Sequence, residues 1–100
     1  MTTSPTNFDK LVSLPSDLVK SLVSICEDAA KFGYEKIGAH HVHDPGLGSC
    51  VDYGGEIGVV ASIATTGKGL KLYGCQFVDE FRMLGLHDFC LVLLDEGAIA

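Results

Sequence analysis

Ile57-Gly58-Val59-Val60-Ala61-Ser62-Ile63-Ala64, followed by Thr65-Thr66-Gly67-Lys68-Gly69 and Leu70-Lys71-Leu72-Tyr73-Gly74-Cys75, is the stretch on which the fold turns. β-Branched residues crowd its first part, and Ile57, Val59, Ala61 and Ile63 recur at the two-residue period that places side chains on one face of a strand. Gly67 and Gly69 supply the positive φ that a tight connection needs. Leu70, Leu72 and Gly74 then alternate with Lys71, Tyr73 and Cys75, so the whole stretch predicts a β-hairpin.

Upstream of the hairpin, Pro15-Ser16-Asp17 carries a helix-start signature, with a serine oxygen to cap backbone donors and an acid for the positive end of the dipole. Leu18, Leu22, Ile25, Ala29 and Phe32 recur at spacings of three and four, and Val19, Val23, Cys26 and Ala30 widen the stripe. A long amphipathic helix is expected to end at Gly33 or to run on through Tyr34-Glu35-Lys36-Ile37 to Gly38. Before it, Phe8, Leu11, Val12 and Leu14 suggest a short helical turn, and residues 1–7 are expected to be flexible.

Downstream, Phe77, Phe81 and Leu84 return to helical spacing with Gly85 as a stop, which predicts a short helix. Phe89-Cys90-Leu91-Val92-Leu93-Leu94 is uninterrupted and apolar, and predicts a strand covered on both faces. The order helix, hairpin, short helix, strand implies a single α+β domain over residues 1–100. The expected architecture is a two-layer sandwich in which the long N-terminal helix lies on a small, mainly antiparallel sheet.

The helix can cover one face of that sheet only. Val60, Tyr73, Cys75 and Phe77 fall on the other, which is too apolar to leave wet and is expected to bind a protein partner, an apolar small molecule or a second copy of the chain. The leading expectation is therefore a small acidic binding module, homodimeric and cytoplasmic. A rival is a small enzyme.

Composition narrows the partners. Thirteen acidic against seven basic residues give a net charge of -6, so no basic stripe is available for phosphates and nucleic acid is not an expected partner. No apolar run approaches the roughly 18 residues of a membrane span, and no leader-like segment opens the chain. The cysteines, Cys26, Cys50, Cys75 and Cys90, form no Cys-x-x-Cys pair; three sit in apolar patterns as core residues, and Cys50 stands apart as a candidate for chemistry.

The polar stretch between the helix and the hairpin holds the other candidates. His40, His41, His43 and Asp44 put imidazoles and a carboxylate into five residues, a donor set suited to a divalent transition metal. Cys50, Asp52, Glu56 or His87 would complete the shell. The same three histidines, His40, His41 and His43, are candidates for acid and base catalysis. Cys50 is a conceivable nucleophile beside them, Asp52 and Glu56 a conceivable carboxylate pair, and His87-Asp88 a conceivable oriented histidine. Against each stands a solvated polar loop or a capped turn. Asp44-Pro45-Gly46-Leu47-Gly48 is turn chemistry, since no strand precedes it and no helix opens after it as a phosphate loop requires.

Glu35 before His40-His41, with Tyr53 downstream and Thr65-Thr66 ahead of Gly69-Leu70, faintly resembles the pterin-4a-carbinolamine dehydratases. That resemblance implies a small cytoplasmic α+β homo-oligomer that dehydrates a pterin with a histidine pair and a third histidine after a threonine. Thr66 stands where that third histidine belongs, the spacings need insertions, and the segment from Phe89 has no counterpart. The resemblance covers less than half of the chain.

Overall fold

A computed structural model describes residues 8–42 and 45–94 of the chain. Residues 1–7, His43 and Asp44 lie outside the described residues. In order come β1 (Phe8–Ser13), α1 (Ser16–Ala30), β2 (Tyr34–Gly38), a single 3₁₀ turn (Ala39–His41), β3 (Cys50–Tyr53), β4 (Glu56–Thr66), β5 (Lys71–Phe77), β6 (Phe81–Leu84) and β7 (Cys90–Leu94). All seven strands join one antiparallel sheet in the order β2-β7-β3-β4-β5-β6, with β1 paired to β4.

The expected sandwich of a long N-terminal helix on a small sheet is therefore overturned. The chain is mostly antiparallel sheet, and the single α-helix among the described residues has 15 residues and follows a first strand. Three segments expected to be helical are strands. Phe8–Ser13 pairs with the far half of β4. Tyr34–Gly38 pairs with β7, because Gly33 at φ 100° breaks the helix path and β-branched Ile37 suits the strand that follows. Phe81–Leu84 pairs with β5 across a tight turn in which the Phe77 N–H donates to the Glu80 carbonyl at 2.8 Å. The Gln76 side chain donates to the carbonyls of Phe77 and Glu80, at 2.8 and 3.0 Å, and holds that turn shut.

β4 is the axis of the sheet. Its first half pairs with β3 and its second half with β1 on the same edge, while β5 runs along the other. The handover falls at a bulge between Val60 and Ser62. There the Val60 N–H donates to Ser49 and the Leu14 N–H to the Ala61 carbonyl, at 2.9 and 2.8 Å. An extra residue in one strand reverses which side chains face which layer. Val59 and Ala61 consequently lie under the helix, whereas Ile63, expected to share their face, packs on the opposite one.

Two cores result, one on each face. Beneath α1, Val19, Val23 and Cys26 pack on Cys50, Val59, Ala61 and Val92, each valine contributing roughly 1.5–3 kcal/mol by burial. Pro15 stands at the start of α1 and no side chain caps it, so Ser16 is a first-turn residue rather than the expected cap. The face turned to the sheet is Val19, Val23, Cys26 and Ala29; Leu18 and Ile25, placed with the inward stripe by their spacing, remain 45% and 53% exposed.

The second core lies on the face expected to be open. Val60, Tyr73, Cys75 and Phe77 are 0%, 1%, 0% and 1% exposed, with Val51, Leu84 and Leu91 beside them. Ala39 and Phe89, with Val42, Leu47 and Leu86 against them, close over this face from the segments that flank β2 and β7. Phe89 meets Tyr73 edge-on at 5.7 Å. The chain thus shelters its own far side with its connecting loops, which period and propensity do not report.

Candidate functional site

The histidine stretch starts at β2. The 3₁₀ turn is pinned by the Ala39 N–H, which donates to the Phe89 carbonyl at 3.1 Å, and by the fully buried Ala39 side chain. His40 folds back over Gly38, where a Cβ would come within 2.7 Å of its ring. His40 then lies 4.0 Å from the His41 ring and stacks on His87, from the β6–β7 turn, at 4.7 Å and 20°. The structure therefore brings His40 and His41 together with His87, and all three are exposed.

No group of three or more His, Cys, Asp or Glu side chains with metal-holding geometry occurs among the described residues. Of the expected metal set, His43 and Asp44 lie outside the described residues. Cys50 is on the opposite face of the sheet from Ala39, under the helix. Asp88 does not orient His87 but closes its own turn, its carboxylate accepting from the Gly85 N–H at 2.9 Å.

The His40 imidazole is held below its ordinary value of 6.5, first by the neighbouring atoms that displace its water and then by the charges of His41 and His87. A lowered pKa in the folded state means that the unfolded chain takes up the proton first as pH falls. Stability from this stack is therefore present above pH 6.5 and is lost as pH drops through the folded value. Urea midpoints measured from pH 8 down to pH 5 are expected to fall across that window, and to fall less in His87→Ala; parallel curves for the two proteins would refute the coupling.

The remaining candidates are structural. Cys50 lies beside Cys26 under α1, and that neighbouring thiol together with burial pushes the Cys50 thiol up, away from a nucleophilic thiolate. Cys75 is pushed up to about 12 by burial, and all four cysteines are free. Asp52, 4% exposed, accepts from the Tyr34 hydroxyl at 2.6 Å and lies 3.6 Å from the Lys36 ammonium. It ties β2 to β3 across β7, and it makes no pair with Glu56. The hydrogen bond to Asp52 raises the Tyr34 phenol above its usual range.

What spacing did not reveal is a groove on the helix side. α1 packs on β3, β4 and β7 there and touches β5 only lightly, leaving Phe81 and Met83 of β6 exposed. A hollow of about 660 Å³ runs between the helix flank and the β5–β6 half, with Val19, Val23 and Ala61 in its apolar lining and Leu11, Val78 and Phe81 at its rim. Phe77 is the one member of the expected ligand-binding set that borders it. Leu11, Val78, Phe81 and Met83 are all exposed. Gly74 lies under the last two, where a Cβ would meet Ser62, Phe81 and Met83. A second hollow, of about 480 Å³, adjoins the first through the shared residues Glu27 and Val78. Glu56, Asp79 and Lys31 are its other charged residues. Neither hollow is lined by a histidine.

No helix among the described residues is long and apolar enough to cross a membrane. The chain matches no family model, no curated protein and no solved structure.

Proposed function

We propose that the chain is a non-catalytic binding domain of a reducing, cytoplasmic setting, and that its site is the apolar groove between α1 and the β5–β6 half of the sheet. The carrying observation is that groove: about 660 Å³, within the roughly 300–1,000 Å³ common for ligand sites, and edged by large apolar side chains that a monomer gains nothing by exposing. Four free thiols favour the reducing setting. The enzyme reading has less behind it, since His40, His41 and His87 face solvent and border neither hollow. The exposed helix stripe of Leu18 and Ile25, with Phe32 beyond the helix end at 81% exposure, favours self-association as well.

An environment-sensitive naphthalene sulfonate dye is expected to brighten on binding the native protein, and to lose most of that signal in Phe81→Asp and Val78→Asp with the circular dichroism unchanged. Light scattering on the same samples is expected to give twice the chain mass. A native protein that takes no dye would end the groove reading, and a strict monomer would end the dimer.

A further inference from the structure

We infer that the groove's natural occupant is an amphipathic helix of another protein, apolar along one side and basic at one end; this rests on the groove reading above. The two hollows share Glu27 and Val78 in their walls, and together their linings follow one flank of α1 from Ser16 to Lys31. At ~1.5 Å per residue that flank is about 22 Å long, the length of a four-turn helix.

The lightly covered β5–β6 half of the sheet has room for a helix. α1 already shows how this face is covered, by laying valines on β4, and a second helix beside it at the usual ~8–10 Å separation would cover β5 and β6 in the same way. The chain offers no second helix among its described residues. Phe81 and Met83 project from β6 on that face and would lie between the occupant's apolar side chains.

Charge sets the occupant's polarity. Beside the first half of α1 the groove sets apolar side chains among serines and Gln76, with Lys20 as its one cation; beside the last turn of α1 it is lined by Glu27, Glu56 and Asp79. Lys31 is the single basic residue there, and its ammonium is drawn 3.3 Å from Asp28. An apolar helix ending in lysines or arginines places its cations against those carboxylates, and the net charge of -6 draws it in.

Two synthetic peptides of about four turns, leucines along one face and lysines confined to one end or the other, are titrated against the native protein by fluorescence anisotropy. One of them is expected to bind, to displace the dye from the groove, and to weaken with added salt. In the double variant Glu56→Lys, Asp79→Lys its affinity is expected to fall roughly tenfold or more, while a lysine-free analogue of the same peptide changes little. Binding that ignores the charge reversal, or a protein that takes the dye but neither peptide, would overturn the helix partner and leave the groove standing. Loss of dye and peptide together would instead refute the groove itself.

Discussion

Gly58→Ala is expected to cost about 3–4 kcal/mol of folding stability, a large loss for one methyl group. Gly58 lies opposite Phe77 where β4 and β5 pair, and its φ is ordinary, so the backbone itself would accept alanine. Space would not. The new Cβ would stand 2.6 Å from the Gln76 carbonyl oxygen and 2.6 Å from the Phe77 ring. The ring can shift, but the carbonyl belongs to β5, in the middle of the sheet. Relief therefore means spreading two central strands or bending β4. Gly46→Ala is the control, since nothing lies within 4 Å of a Cβ there. Urea unfolding reads both, and the loss should appear as a lower midpoint at an unchanged slope. A cost under about 1 kcal/mol would show that the two strands do not approach as described.

The hairpin was legible because its signals are local. β-Branched residues at period two, a turn rich in glycine and a returning alternation all lie within twenty residues, and β4 and β5 pair as that pattern requires. The apolar run at the C-terminal end was legible for the same reason, and β7 sits between β2 and β3. What escaped depends on contacts distant in sequence. Phe77, Phe81 and Leu84 are spaced as on a helix, yet the turn made by Val78-Asp79-Glu80 and fastened by Gln76 puts them on two strands. Helix α1 is apolar around much of its surface, so spacing alone could not choose between the Leu18–Ile25 stripe and the Val19–Val23–Cys26 stripe. The sheet chose, by packing the smaller, closer-fitting set.

The candidate site was legible only in part. His40 and His41, neighbours in sequence, lie ring against ring, and His87 joins His40 from the β6–β7 turn. Their exposure was not written in their spacing. The expectation of an unsheltered far face is overturned, because that face is closed by Ala39, Phe89 and their neighbours, while the exposed apolar side chains Leu11, Val78, Phe81 and Met83 are gathered on the helix side. A bulge at Val60–Ser62 and a seven-strand sheet wider than one helix produce that result, and neither is a property of any short window of sequence.

Phe77→Ala is the second large effect, expected at about 3–5 kcal/mol for removal of a fully buried ring. The ring covers Gly58 and packs on Tyr53 at 6.1 Å, and Tyr53 in turn carries the Arg82 guanidinium 5.4 Å from its centroid. Losing it opens a cavity in the core away from the helix and removes the support of that stack. Combined with Gly58→Ala, it is expected to be less than additive. The alanine at 58 loses its collision with the ring, so the pair should recover roughly 1 kcal/mol relative to the sum. It should not recover more, because the clash with the Gln76 carbonyl remains whatever side chain stands at 77. The size of the recovery therefore separates the share of the strain at Gly58 that is side chain from the share that is backbone. Full additivity would mean that the ring never covered the glycine, and full rescue would mean that the carbonyl can yield after all.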